Sequence, residues 1–117
     1  MFAEWLKVSR ANERDALLVF SVGGGSRERN ISANLVAAID EAKARGMDVL
    51  GIVGRDGGYT KQRGDLVLVI PTVNEQQVTP HTEAFQGVVW HGIVCDPRLM
   101  VQGNKWETSV TVAQRVA

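Results

Sequence analysis

Three short and nearly continuous apolar runs dominate the hydrophobic pattern of the chain, at residues 16–22, 49–53 and 66–70. Runs of this length are typical of parallel strands that are buried on both faces, because half-exposed strands alternate apolar and polar residues. Parallel strands also need long crossover connections, which are usually helical. The pattern therefore predicts an α/β fold with three parallel strands.

The clearest helical pattern lies between the first two apolar runs. Ser26 is predicted to cap its start, and Gly46 is predicted to end it. Its apolar stripe comprises Ile31, Leu35, Ala38, Ile39 and Ala42. Residues 2–8 are predicted to form a short amphipathic helix, and residues 55–64 leave room for a tight turn and about one or two helical turns.

A final helix is predicted to open at Thr79-Pro80 and to end before Pro97, because proline suits the first turn of a helix and disfavours helical backbone in the residue before it. Its inward positions are predicted to be Phe85, Val88, Val89, Gly92 and Ile93. Beyond it, residues 102–105 indicate a turn and residues 106–112 a weakly alternating strand. We therefore expect one domain at residues 1–97 and a loosely attached tail at residues 98–117.

Right-handed crossovers bring the loops that follow parallel strands to one edge of the sheet. The loops at residues 21–26, 54–58 and 71–75 should therefore lie close together. Ligands of open α/β sheets bind at this edge, so we expect the binding site there.

The loop Ser21-Val22-Gly23-Gly24-Gly25-Ser26 carries the clearest binding chemistry. Consecutive glycines leave backbone N–H groups unshielded, hydroxyls flank them, and the helix that follows would add its positive dipole end, which together suit a phosphate. The spacing matches neither Gly-x-Gly-x-x-Gly nor the Gly-Lys-Ser/Thr ending of nucleotide-binding loops. The alternative interpretation is a turn that merely needs glycine backbone angles.

Composition narrows the classes of function. The chain has 117 residues and is 44% hydrophobic, which suits one globular domain. Its 13 basic and 13 acidic residues are interspersed, so the basic footprint of a nucleic-acid binder is missing. The lone Cys95 in an apolar run indicates a structural thiol in a reducing cytoplasm. No apolar run approaches the roughly 20 residues of a membrane span, so no membrane partner is expected.

Residues 15–26 and 42–58 together resemble the sugar isomerase (SIS) domain, specifically its phosphoheptose isomerase branch. The first segment contains the glycine loop, and the second ends in Gly54-Arg55-Asp56-Gly57-Gly58. The resemblance covers about residues 2–97 and corresponds to the C-terminal part of the family's domain. It implies a three-layer αβα fold with a parallel, flavodoxin-like sheet, truncated to about three strands.

The family's loop usually reads Ser-Thr-Ser-Gly-x-Ser and holds the sugar phosphate through hydroxyls and backbone amides. By this resemblance Ser21 and Ser26 keep the outer serines, whereas Val22 and Gly23 replace two residues that carry hydroxyls. The implied phosphate- and sugar-binding residues are Ser21, Gly23, Gly24, Gly25, Ser26 and Arg55. Arginines that could compensate for the lost donors are Arg27, Arg29 and Arg55.

The resemblance also implies catalytic roles for two residues of the final helix. Family members carry a glutamine and, eight residues later, a histidine that acts as an acid/base or metal ligand, and Glu83 and His91 match these positions. Imidazole can accept and donate a proton near neutral pH, as aldose-ketose isomerisation requires. Without the resemblance, His91 among apolar neighbours is more typical of a core histidine than of a functional one, and the resemblance makes the two interpretations about equal. Some relatives hold zinc through these positions, and the metal is left unassigned.

Two parts of the family's site have no counterpart in this sequence: its base glutamate and a Gly-Asn-Gly-Gly-Ser loop. The family's first strand is also missing, so residues 16–22 would form an open sheet edge, and we expect a homo-oligomer or pairing with an N-terminal half. Three functions stay open. They are a cytoplasmic sugar-phosphate isomerase related to sedoheptulose 7-phosphate isomerase, a non-catalytic phosphosugar-binding or regulatory module, and an incomplete fragment.

Overall fold

The computed structural model describes residues 1–102. Four α-helices and three strands alternate along it. In chain order they are α1 (Phe2–Val8), β1 (Ala16–Ser21), α2 (Ala33–Ala44), β2 (Asp48–Val53), α3 (Gly58–Arg63), β3 (Leu66–Val69) and α4 (Val78–Cys95), with one 3₁₀ turn at Glu75–Gln77. Residues 103–117, which hold the predicted strand, most of the predicted turn at 102–105 and most of the tail predicted at 98–117, lie outside the described residues.

The three strands form one parallel sheet in the order β1-β2-β3. Val19 pairs with Gly51, and Val53 pairs with Val69, so the strands end at nearly the same level. The predicted α/β class with three parallel strands and flanking helices is confirmed. Within the described part of the chain β1 pairs with β2 alone, which leaves its other edge open as expected.

The core lies between one face of the sheet and helices α1, α2 and α3. Alternate strand residues such as Val19, Val49 and Val53 are buried on this face, and Ile39 of α2 is fully buried against them. The cluster comprises Leu6, Val19, Val36, Ile39, Ala42, Met47, Val49, Val53 and Tyr59. The stripe predicted for α2 is therefore right at Ala38, Ile39 and Ala42, while Ile31 is exposed and precedes the helix.

The opposite face of the sheet is largely uncovered. Leu18 and Phe20 of β1 and Leu66 and Leu68 of β3 are between 44% and 73% exposed. The prediction that all three strands are buried on both faces is therefore wrong for β1 and β3. An apolar run indicates that a strand favours burial, but it does not indicate whether another part of the chain covers that strand.

Helix α4 forms as predicted but buries other residues. Phe85, Val88 and Ile93 are exposed, whereas Val78, Thr82 and Gln86 are buried. The predicted inward face is therefore wrong. The buried positions recur every four residues and two of them are polar, so a search for apolar spacing misses them. In α1, likewise, only Leu6 is buried.

The chain divides into two compact units, Met1–Gln86 and a second that begins at Gly87 inside α4. The division into a domain at residues 1–97 and a tail at 98–117 stays a prediction. Cys95, in the second unit, is exposed and so lacks the buried setting of the structural thiol that was expected. Among residues 1–102, no helix is both long and apolar enough to cross a membrane.

Candidate functional site

A cavity of about 970 Å³ opens at the carboxyl ends of the strands, in the first unit. Its wall is built from the three loops that were expected to converge there. The residues that line it are Val22, Gly23, Gly25, Ser26, Arg27, Glu28, Arg29, Ile31, Ser32, Arg55, Asp56, Gly58, Tyr59, Gln62, Thr72, Glu75 and Thr79. The predicted meeting of these loops is thus confirmed.

The loop after β1 is packed directly against the loop after β2. Gly24 has a φ of +69°, and a Cβ atom there would lie 1.9 Å from Gly57 O. In the other direction, a Cβ atom on Gly58 would lie 2.2 Å from Gly23 O. Neither position can carry a side chain at this separation. We call this contact the glycine junction, formed by Gly23–Gly25 and Gly57–Gly58.

Three hydrogen bonds stabilise the glycine junction. Tyr59 N–H donates to Gly25 O over 2.8 Å, and Thr60 N–H donates to Gly24 O over 2.9 Å. The buried Thr60 hydroxyl donates to the same Gly24 oxygen over 2.8 Å. The second and third N–H groups of α3 are therefore bound to loop carbonyls. The alternative interpretation of the glycines, that they serve backbone conformation, holds for Gly24 and Gly25.

Gly23 differs from the two glycines that follow it. Its backbone is not left-handed, and a Cβ atom there would meet only the Arg55 side chain, with Cδ at 3.7 Å, which is ordinary van der Waals contact. The fold therefore does not require glycine at this position. What the small residue does is leave space beside the Arg55 side chain at the cavity wall.

The two serines of the loop bind its own backbone. Ser21 Oγ accepts a hydrogen bond from Gly24 N–H over 3.0 Å, and Ser26 Oγ accepts one from Arg29 N–H over 3.2 Å. Ser26 was predicted to cap α2 but does not, because its backbone pairs with Ile31 in a short antiparallel bridge and residues 27–30 form a turn. Ser32 is the residue that precedes the helix.

Donors without acceptors remain at the cavity wall. In the part of the chain that the structure describes, the N–H groups of Gly23 and Gly25 donate to no acceptor. Arg55 is exposed, has a left-handed φ of 51°, and makes no ion pair with any residue up to 102. Uncompensated backbone donors beside an unpaired guanidinium suit an anion. Three carboxylates also line the cavity, those of Glu28, Asp56 and Glu75.

Arg27 is held quite differently from Arg55. Its Nη2 is ion-paired with Asp40 of α2 and donates to the Tyr59 hydroxyl over 2.7 Å. That hydroxyl in turn donates to the other oxygen of Asp40 over 2.6 Å. Burial, and then the hydrogen bond to Asp40, raise the pKa of the Tyr59 hydroxyl above its ordinary value. The hydroxyl therefore stays protonated and keeps donating at neutral pH.

The two predicted catalytic residues lie in different units. Glu83 is exposed on the first part of α4 and does not line the cavity. His91 belongs to the second unit, where it is exposed and stacks on Trp90 with ring centroids 3.9 Å apart. The core-histidine interpretation is therefore wrong. Among residues 1–102, no group of three or more His, Cys, Asp or Glu side chains is placed to hold a metal ion.

Two residues that support the cavity escaped prediction from the sequence. The buried Gln86 amide donates to Ile52 O over 2.7 Å and to Ser21 O over 3.2 Å, and so ties α4 to the ends of β1 and β2. Thr82 packs against Gly54, where a Cβ atom would lie 2.3 Å from the threonine Oγ1. Both are polar residues on a helix that was expected to bury apolar ones, and only their four-residue spacing could have indicated them.

An α/β sheet with a glycine-loop cavity at its carboxyl edge is the class of domain that this geometry defines. The chain is similar in sequence to several named proteins. The lincomycin biosynthesis protein LmbN of Streptomyces lincolnensis is 40% identical over 77 residues, 66% of this chain and 28% of LmbN. Phosphoheptose isomerases of Helicobacter pylori (strain P12) and Burkholderia pseudomallei (strain K96243) are 33% and 37% identical over 73% and 72% of this chain.

Solved structures agree with these sequence similarities. A phosphoheptose isomerase from Francisella tularensis matches 77% of this chain with a TM-score of 0.59 and 27% identity. The enzyme from Neisseria gonorrhoeae, at 24% identity and a TM-score of 0.55, supports the fold. No family profile matches the chain. The predicted relationship to the phosphoheptose isomerases is confirmed.

The chain spans less than half the length of these relatives. It covers 38% and 37% of the two curated phosphoheptose isomerases and 45% of each matched structure. The comparisons therefore relate the chain to only part of each of these proteins.

Proposed function

We propose that the cavity binds a sugar phosphate and that the protein functions as part of a phosphosugar isomerase. The observation that carries this proposal is the group of donors at the cavity wall, which are the N–H groups of Gly23 and Gly25 and the guanidinium of Arg55, unpaired within residues 1–102. A phosphate placed there would satisfy donors that have no acceptor within residues 1–102. The similarity to phosphoheptose isomerases makes a heptose phosphate the first ligand to test.

Binding can be measured by isothermal titration calorimetry with sedoheptulose 7-phosphate and, separately, inorganic phosphate. Arg55→Gln should weaken both by about 10- to 100-fold, because a hydrogen bond between charged groups contributes about 1.5–3 kcal/mol. Arg10→Gln is the matched control, since Arg10 is also exposed, has a similar φ of 57° and does not line the cavity. Equal affinities of the two variants would overturn the proposed phosphate site.

The catalytic part of the proposal assigns acid/base chemistry to His91, with Glu83 as the second candidate. Turnover of sedoheptulose 7-phosphate should be measured with the chain alone and after it is mixed with the N-terminal half of a relative. His91→Ala should abolish activity in the mixture while leaving sugar-phosphate affinity unchanged. An active mixture that His91→Ala does not impair would exclude this role.

A second candidate function is a sugar-phosphate-binding module without turnover. The observation in its favour concerns Glu83, the member of the predicted catalytic pair that lies in the first unit. Glu83 is exposed and does not line the cavity. Tight binding of sedoheptulose 7-phosphate, with no turnover alone or in the mixture, would favour this function.

Assembly with another chain is part of the proposal. The open edge of β1 and the uncovered face formed by Leu18, Phe20, Leu66 and Leu68 together present an apolar surface next to unpaired backbone groups. Such an edge favours association. Sedimentation at micromolar concentration should show a species larger than one chain, or a complex once an N-terminal half is added. A single-chain species in both samples would contradict the proposal.

A further inference from the structure

Two arginines of the cavity wall differ in their electrostatic state. Arg55 makes no ion pair with any described residue, so it presents a net positive charge. Arg27 is paired with Asp40, and its Cζ atom lies 5.0 Å from the centroid of the Tyr59 ring. The charge of Arg27 is thus largely neutralised while its planar group is fixed in orientation.

A fixed, charge-neutralised guanidinium is better suited to hydroxyl groups than to a phosphate. Arg27 uses Nη2 for both Asp40 and Tyr59, and its Nε and Nη1 hydrogens have no acceptor within residues 1–102. These hydrogens can donate to sugar oxygens. A phosphate dianion, in contrast, would be repelled by the adjacent Asp40 carboxylate, and it is better held by the unpaired Arg55.

Arg55 and Arg27 are held at the cavity wall by different parts of the chain. Arg55 lies beside Gly23 in the glycine junction. Arg27 lies on the turn at residues 27–30 and is tied to α2 through Asp40 and to α3 through Tyr59. A ligand with one anionic end and one polyhydroxyl end could contact Arg55 with the first and Arg27 with the second.

We infer that Arg27, Asp40 and Tyr59 form a hydroxyl-recognition subsite that selects the sugar portion of the bound sugar phosphate. Arg27 contacts the sugar hydroxyls, whereas Asp40 and Tyr59 are positioning residues that hold its guanidinium. The inference rests on the proposed function, because it concerns the non-phosphate end of the same ligand.

The experiment compares the affinities for sedoheptulose 7-phosphate and for inorganic phosphate by calorimetry. Arg27→Lys keeps the charge but removes the planar fork, so it should weaken sugar-phosphate binding by about 10-fold and change phosphate binding less than about 2-fold. Tyr59→Phe should have the same selective effect, since it removes the hydroxyl that, together with Asp40, orients the Arg27 guanidinium. Arg10→Lys is the matched control and should change neither affinity.

Each remaining outcome overturns the subsite, and one of them also overturns the proposed function. If Arg27→Lys weakens both ligands equally or neither, the subsite is wrong while the phosphate site stands. If the wild-type protein binds sedoheptulose 7-phosphate no more tightly than phosphate, the same conclusion follows. If it binds neither ligand, both the proposed function and the subsite are wrong. Arg27 is 59% exposed, so Arg27→Lys remains informative even if Tyr59→Phe unfolds the chain.

Discussion

Replacement of Gly24 by alanine is expected to destabilise the fold strongly. Gly24 has a φ of +69°, and left-handed backbone costs about 1–2 kcal/mol for a residue with a Cβ atom. That atom would also lie 1.9 Å from Gly57 O, so the two loops must separate. Separation weakens the three hydrogen bonds that Gly24 and Gly25 oxygens accept from Tyr59 and Thr60, each contributing about 1 kcal/mol.

The expected loss is about 3–5 kcal/mol of the free energy of unfolding. Small domains are stable by only about 5–15 kcal/mol, so this change removes a large part of the total. Urea unfolding followed by circular dichroism measures it directly. With a slope of about 1–1.5 kcal/mol per molar urea, the unfolding midpoint should fall by about 2 M or more.

Gly23→Ala is the control for this experiment. A Cβ atom at position 23 meets only Arg55 Cδ at 3.7 Å, and the backbone is not left-handed. The free energy of unfolding should therefore change by less than about 1 kcal/mol, and a small gain is expected because alanine restricts the unfolded chain. If Gly23→Ala and Gly24→Ala shift the midpoint equally, the reasoning about the glycine junction is refuted.

Three further predictions concern polar groups. The hydrogen bond from Lys43 and the backbone N–H of residue 49 lower the pKa of Asp65, so stability should be lost as pH falls below about 4. Urea midpoints at pH 7 and pH 3 should differ less in Asp65→Asn than in the wild type. Gln86→Leu should lower the free energy of unfolding by about 1–3 kcal/mol in thermal unfolding, because two strand-end carbonyls lose their donor. Thr60→Val keeps the side-chain shape but removes the hydroxyl bond to Gly24 O, so a loss of about 1 kcal/mol is expected by urea unfolding, and an unchanged midpoint would contradict it.

The strands could be predicted almost to the residue. The runs at 16–22, 49–53 and 66–70 became Ala16–Ser21, Asp48–Val53 and Leu66–Val69, because continuous apolar residues between turn signals have few alternative structures. The start of α2 could not be predicted in the same way. Ser26 and Ser32 both have the chemistry of an N-cap, and only the backbone bridge between Ser26 and Ile31 decides between them.

The cavity could be located from the sequence, but its internal contacts could not. Topology alone brings the loops after parallel strands to one edge, and the glycine loop was correctly placed there. The links among Arg27, Asp40 and Tyr59 join residues 13 to 32 positions apart through long side chains. No spacing rule relates such positions, so these contacts depend on tertiary structure.

The glycine junction also affects how related sequences should be compared. Gly24 and Gly58 each lie against backbone of the opposite loop, so a substitution at one needs a compensating change across the contact. Aligned relatives should therefore show covariation between positions 24 and 58, independent of which ligand they bind. Position 23 is free of this steric requirement, because a Cβ atom there would meet only the Arg55 side chain, so variation at position 23 among relatives is not dictated by the glycine junction.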